Sequence, residues 1–503
     1  MSAAPAVSNR TLTLVVASAL FMEALVSTVI ATSLAAMAAD LQVDPLALKL
    51  AFTAYYVALA IFIPVSGWCA DRYGAKTVFA TSIAVFTAAS VACAMAGDLH
   101  SLIAGRFCQG LGGAMMLPVG RLILLRVIPR REMVSAMAWL SIPTLMAPIM
   151  GPPIGGFITT YFHWRGIFWL NVPVGLLGLA LAVRLVPQVR AEVLRALDGR
   201  GFVLTGLGLS LLIFGLTLAG SQAGNRLLAA GMMTGGAALL ALYVWHARRT
   251  DHPIIDLGLL RIASFRITLL GGVLFRLSVG AVPFLLPLML QVGFGLSAFA
   301  SGSLTFASAV GAVTMKLTAS PILRRYGFKR VLCINAVISS VLLAACALFS
   351  AATPHAVIIT VLLVGGFFRS LQFTSLNTLG YADIAGEQMS RATSFVGVVQ
   401  QLSLAAGVAL AALLLETSRT ADTRSQLLAV DFGRAFVAVG LLSLLSLVFY
   451  LRLAPHAGAE MSGHGAGAAA PGATVTPAAS PAESSRGPAR RISPADQSGG
   501  SKR

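Results

Sequence analysis

Charge is what this sequence has least of. Asp, Glu, Lys and Arg together supply 11% of its 503 residues, while 57% are hydrophobic. Soluble domains carry roughly a quarter charged residues, so a water-soluble fold is excluded and an integral membrane protein is expected. Acids are scarcer than bases, 18 against 36 Lys and Arg, leaving a net charge of +18. The surplus does not form a basic domain; it falls in short gaps between apolar runs, so no nucleic-acid partner is expected. Cysteine is rare too. Cys69, Cys93, Cys108, Cys333 and Cys346 are odd in number and share no ligand spacing. They read as small packing residues, with neither a disulfide framework nor a metal site. No Gly-x-x-x-x-Gly-Lys-Ser/Thr loop is present to hold ATP phosphates. The histidines form no metal pair, and neither a nucleophile elbow nor a zinc-binding helix occurs. The chain is therefore not expected to be an enzyme or to need a cofactor. A cleavable signal is not expected either, because the first apolar run, near 11–39, is too long and contains Glu23.

Apolar runs fill the rest. A helix crosses the bilayer core with about 20 residues, which predicts spans near 11–38, 48–70, 77–97, 101–125, 134–160 and 166–186. Two follow near 201–220 and 227–246, then six near 267–291, 299–323, 331–350, 356–380, 392–415 and 433–451. The expected fold is all-α and membrane-embedded, with two six-helix halves and a two-helix insert, fourteen crossings in all. The parts are an N-terminal segment 1–10, a first half 11–186, a linker with inserted helices 187–266, a second half 267–452 and a tail 453–503. The tail is rich in Ala, Gly, Pro and Ser and is expected to be disordered. An even count puts both termini on one side. Gaps on that side hold seventeen bases, Arg126, Arg130, Arg131 and Arg195 among them. The other side offers six: Lys49, Arg165, Arg226, Arg419, Arg424 and Arg434. The positive-inside rule makes both termini cytoplasmic.

One stretch is written twice. Arg-Tyr-Gly-x-Lys-x-Val occurs at 72–78 and again at 325–331, an offset of 253 residues (325 less 72). Each copy lies between two apolar runs, so the halves are related and the copies mark corresponding hinges. The first hinge, Gly67-Trp68-Cys69-Ala70-Asp71-Arg72-Tyr73-Gly74-Ala75-Lys76, resembles the signature loop of the major facilitator superfamily. Arg106-Phe107-Cys108-Gln109-Gly110-Leu111-Gly112 is similar to that superfamily's fourth-helix motif. The run from Ala147 to Gly156 resembles the fifth-helix motif of its exporters, with Ala147 where Gly is usual. Fourteen spans together with Trp164-Arg165-Gly166-Ile167-Phe168 and Asn171-Val172-Pro173 resemble the drug:proton antiporters of the EmrB/QacA type. The resemblance implies a proton-coupled exporter in a bacterial inner membrane, working by alternating access on a small-molecule substrate. It is expected to be a lipid-embedded monomer; whether a periplasmic adaptor joins it is left open. Many relatives carry an acid at the place of Val26; here the acid is Glu23, one turn earlier.

Glu23 is the only acid clearly inside a span. A charge there costs about 2.5–3.5 kcal/mol unless it finds a partner or water, and burial favours the neutral acid. That suits a proton-coupling carboxylate; a structural acid is the other reading. Arg106 lies at a similar depth by a count of about 1.5 Å per residue, so a Glu23–Arg106 pair that opens on protonation is expected, or else a static bridge. Gln109 is a cavity candidate one turn on. In the second half Arg276, Lys316 and Arg369 fall inside spans, with Gln372 and Asn377 nearby. Three buried bases favour an anionic or carboxylate-bearing substrate; Lys316 snorkelling outward and arginines capping carbonyls are the plain alternative. A lipophilic-cation multidrug exporter is the second functional reading, and a non-transporting sensor a remote third. Gly67, Asp71, Arg72, Gly74 and Lys76, with Arg324 and Arg325, are expected to form a cytoplasmic gate. Gly151, Pro152, Gly155 and Gly156 are expected to make a tight, bendable contact between the halves. Tyr55, Tyr56 and Phe275 read as packing or lipid-facing residues.

Overall fold

A computed structural model describes residues 9–129, 132–190, 196–219, 226–251, 253–385, 388–421 and 427–462. The expectations for residues 1–8, for the tail 463–503 and for Arg130, Arg131, Arg195 and Arg424 lie outside them. The described chain is helical throughout. In order come α1 (Asn9–Val29), α2 (Leu34–Asp40), α3 (Lys49–Tyr73), α4 (Ala75–Ala94), α5 (Leu99–Val127), α6 (Met133–Tyr161), α7 (Gly166–Trp169) and α8 (Asn171–Leu185). Then follow α9 (Gly199–Ala219), α10 (Arg226–Ala247), α11 (Ala263–Leu288), α12 (Ala298–Ala345), α13 (His355–Gly380), α14 (Met389–Ala421), α15 (Ala429–Leu444), α16 (Leu447–Tyr450) and α17 (Ala459–Ser462). Helix is what an apolar chain adopts in lipid, because each backbone N–H and C=O must be paired within its own segment. The boundaries follow local chemistry. Asp98 and Ser101 close a reciprocal capping box at the start of α5, which satisfies donors that the first turn leaves open. Ser297 caps α12 by a single bond, its hydroxyl accepting from Ala300 N–H.

Among the described residues, twelve helical stretches are long and apolar enough to cross a membrane. The runs near 299–323 and 331–350 are two helical limbs, labelled together as α12, that meet at Gly327, where φ is 71° and ψ 163° and the backbone is not helical. The first hinge ends α3 at Gly74, with φ 94° and ψ 135°. Both values lie where only glycine is at ease, since a Cβ would meet the neighbouring carbonyl. The repeated Arg-Tyr-Gly is thus a repeated backbone reversal.

Packing repeats as well. α1 lies on α6 as α11 lies on α14; α3 lies on α5 as the first limb of α12 lies on α13; α4 lies on α8 as α12 lies on α15. The two sets meet along α6–α12 and α3–α14, and α9, packed against α10, rests on both α3 and α14. At the end away from the termini the two sets are tied together. Arg419 Nη1 donates to Asp44 Oδ2 at 2.6 Å, and Gln291 Nε2 donates to the Thr32 carbonyl at 3.0 Å. Phe52 and Phe284 meet edge to face, with centroids 6.3 Å apart.

Candidate functional site

α1, α3 and α5 bring three groups together inside the first half. Tyr55 is 1% exposed and its hydroxyl donates to Glu23 Oε1 at 3.1 Å. The Arg106 guanidinium, also 1% exposed, lies 4.2 Å from the centroid of the Tyr55 ring. Arg106 Nη1 donates to Gln109 Oε1, and Gln109 Nε2 donates to Ser90 Oγ at 2.8 Å. Its Nε has no partner among the described residues. The expected direct Glu23–Arg106 pair is therefore corrected: one tyrosine stands between them, giving its hydroxyl to the acid and its π face to the base. Gly113 packs against the pair, and a Cβ there would sit at ordinary van der Waals distance, 3.4 Å, from Glu23 Cγ and the Tyr55 hydroxyl. Tyr55 was passed over as a packing residue. The signal that could have found it is a phenol set among alanines and valines in mid-span, where a hydroxyl needs a partner.

The bases of the second half separate. Arg276 is 2% exposed, donates through Nη2 to Asn377 Oδ1 at 3.0 Å, and lies 5.8 Å from the Phe373 ring. Its Nε and Nη1 are unpartnered among the described residues. Arg369 is half-buried and donates to Ser308 Oγ at 2.5 Å. It lines a small cavity inside the half with Phe275, Ser278, Cys346 and Phe436. Gln372 accepts from Asn335 Nδ2 at 2.7 Å, joining α13 to α12. Lys316 is exposed beside Leu317. The expectation of three buried bases is corrected to one, Arg276, with Arg369 half-buried and tied to α12 and Lys316 exposed.

At the first hinge Asp71 pairs with Arg126 of α5 at 2.7 Å. The expected partners, Arg72 and the Arg324-Arg325 pair, are all exposed, and the Arg325 guanidinium lies over the neighbouring Tyr326 ring at 5.6 Å. The acid thus ties α3 to α5 within its own half. Gly74 is buried against Gln188, whose Oε1 accepts from the Lys76 backbone N–H at 3.1 Å. Gly67 is exposed with open space where a Cβ would stand, so no close packing requires glycine there.

A sequence profile of the Major Facilitator Superfamily matches residues 16–245 and 268–486. This chain belongs to that superfamily. It is 35% identical over 405 residues to a protein named for multidrug resistance, MdtD, of Cronobacter sakazakii, covering 80% of this chain and 85% of that one. It is 35% identical over 454 residues to the transport protein HsrA of Haemophilus influenzae, covering 89% and 97%. A solved D-xylose–proton symporter shares its fold at a TM-score of 0.63 and 14% identity, covering 88% and 97%. The human organic anion transporter MFSD10 does so at 0.57 and 14%, covering 88% and 100%. Membership makes the chain a multi-pass membrane transporter of small molecules rather than an enzyme.

In this major facilitator chain the fifth-helix run touches two partners at once. Gly151 and Gly155 of α6 lie against Thr28 and Thr32 of the first half, and Gly155 also faces the Val29 carbonyl. Gly156 lies against the Ala298 carbonyl, and the Pro152 carbonyl lies against Gly302. A Cβ at Gly156 or Gly302 would meet backbone across the α6–α12 contact, whereas one at Gly151 would meet the Thr28 side chain and one at Gly155 both the Thr32 side chain and the Val29 carbonyl, so small residues set both close approaches of α6.

Proposed function

We propose that this transporter is a proton-coupled exporter of small organic molecules, moving them across a bacterial cytoplasmic membrane by alternating access between two six-helix halves. The observation that carries the reading is the Glu23–Tyr55–Arg106 stack, a carboxylate in mid-span whose hydrogen-bond partner among the described residues is a phenol that also covers a buried base. Proton binding would neutralise Glu23, weaken the tyrosine's hold on it and free the stack to rearrange. The halves are 11–186 and 267–452, with α9 and α10 inserted in the linker 187–266. Counting α6 and both limbs of α12 brings the crossings to fourteen, and the surplus of bases on the terminal side supports cytoplasmic termini. Arg72, Lys76, Arg324 and Arg325 would then face cytoplasmic water, and the Asp71–Arg126 pair would act as a latch inside the first half.

Arg276, with two unmet donors beside Asn377, supports an anionic or carboxylate-bearing substrate. The inside-negative potential would help expel it by about 2.3 kcal/mol per charge per 100 mV. A second reading, broad efflux of lipophilic cations, is favoured by the acid at Glu23 and by the multidrug-resistance name of the MdtD relatives. Substrate-dependent proton flux in everted vesicles tests both, with one panel of carboxylates and one of lipophilic cations. Proton release driven by carboxylates and lost in Glu23→Gln is the expected result. Release with cations alone would replace the anion reading by the second one. Flux unchanged in Glu23→Gln would remove Glu23 as the coupling group.

A further inference from the structure

The second half keeps a base inside its bundle with no acid to meet it. Arg369 of α13 lines a cavity of about 30 Å³ walled by α11, α12, α13 and α15, with Phe275, Ser278, Ser339, Cys346 and Ser443 around it. No residue of that wall is exposed. Arg369 Nη2 donates to Ser308 Oγ at 2.5 Å, and its other nitrogens have no partner among the described residues. The four helices carry a single acid, Asp431, in the first turn of α15, where Ser418 Oγ and the Leu428 N–H hold it. The first half shows the contrast. Ser308 stands 253 residues after Tyr55 (308 less 55), the offset of the repeated hinge, so the two hold one place on corresponding helices. Each half sets an arginine of the helix packed there against that place, Arg106 over the Tyr55 ring and Arg369 on the Ser308 hydroxyl. In the first half Glu23 completes the group through Tyr55. In the second the group ends in a cavity.

We propose that this cavity binds one small inorganic anion, a halide such as chloride, between the Arg369 guanidinium and the Ser443 hydroxyl. A charge withdrawn from water without a counter-charge is strongly unfavourable, and one neutral hydroxyl offsets little of it. The remaining donors suit an anion. Ser278 and Ser339 give their hydroxyls to the Phe275 and Ala336 carbonyls of their own helices, whereas the Ser443 hydroxyl has no partner among the described residues. Size selects the ion: about 30 Å³ has room for one or two bodies as large as water, which admits a halide and excludes an organic acid. The site is therefore distinct from Arg276–Asn377 and does not depend on the substrate reading. Chloride takes up no proton in water, so the second half keeps its counter-charge at any pH, while the first can lose its own at Glu23.

Thermal melting of the purified full chain in detergent micelles tests this in the sodium salts of chloride, bromide and gluconate at one ionic strength. Melting is expected about 2 °C higher in either halide than in gluconate. Arg369→Gln should erase that difference. A Cβ at Gly365, in the cavity wall, would meet nothing nearer than Leu342 Cβ at 3.9 Å. Gly365→Val therefore fills the space without moving backbone, and it should erase the difference with Arg369 still in place. Equal melting of the wild-type chain in all three salts would overturn the proposal. A halide effect of full size in either variant would put the ion elsewhere, or make it a general salt effect, and overturn it as well. Should Arg369→Gln not fold, Gly365→Val carries the test alone.

Discussion

Tyr55 does two jobs that single substitutions can separate. Its hydroxyl is the donor that Glu23 uses, and its ring is the surface on which Arg106 rests. Tyr55→Phe keeps the ring and removes the donor. Substrate-driven proton flux in vesicles should fall about tenfold while the melting temperature changes little, since a lost buried partner costs about 1–3 kcal/mol. Tyr55→Ala strips the ring as well, at about 3–5 kcal/mol, and should melt far earlier. Wild-type flux in Tyr55→Phe would reduce this residue to packing. The same contrast explains what the sequence could and could not reveal. Arg276 and Asn377, 101 residues apart, are legible because a base and an amide inside apolar spans stand out by type. Tyr55 as a go-between is not, since a phenol in an apolar helix is ordinary until the facing helix is known. Asp71 is similar: its position on the hinge can be read, but its partner Arg126, 55 residues on, depends on how α3 and α5 meet.

Helices were the most readable level. The span expected near 48–70 is found as Lys49–Tyr73, that near 356–380 as His355–Gly380, and that near 227–246 as Arg226–Ala247. Hydrophobic run length decides such segments, and packing shifts their ends by only a few residues. The break expected between 323 and 331 is found at Gly327, where a non-helical backbone separates the two limbs of α12. The connection at the base of α9 and α10 was not anticipated. Asp198 takes the N–H of Gly201 at 2.8 Å and of Ile254 at 3.2 Å, and pairs with His246 at 2.8 Å. Burial pushes its carboxyl up, but His246 and the two N–H donors outweigh that and hold it below the usual carboxylate range. A carboxyl so depressed stabilises the fold above its unfolded value, near pH ~4, and this contribution disappears as pH falls through the folded one. The Gly201 and Ile254 amides should therefore lose protection against hydrogen exchange below about pH 4, after correction for the intrinsic rate, and tryptic cleavage at Arg248 and Arg249 reads the same clasp at neutral pH. Asp198→Asn should be cleaved faster at neutral pH, by about 1–3 kcal/mol of lost protection. Equal cleavage of the two proteins at pH 7 would show that the clasp holds nothing.

For the whole molecule, the ties at the end away from the termini matter most. Arg419 joins Asp44 of the first half to Glu416 of its own helix, so removing it leaves two carboxylates facing each other near Lys49, which is 3% exposed. Arg419→Ala should open that end more often, and amide hydrogen exchange over residues 41–48 should quicken several-fold with little change elsewhere. Exchange identical to wild type would mean that the apolar contacts, Phe52 on Phe284 among them, close the end unaided.

The position of α9 has a consequence for how molecules would reach a cleft between the halves, should one open as proposed. Because it lies across both α3 and α14, it roofs a line along which the halves would otherwise face lipid. A compound dissolved in the acyl chains would meet a helix there, not an opening. Partitioning into the bilayer would then give a greasy molecule no side door along that line. The solutes best served would be those that stay in water and arrive from the aqueous side.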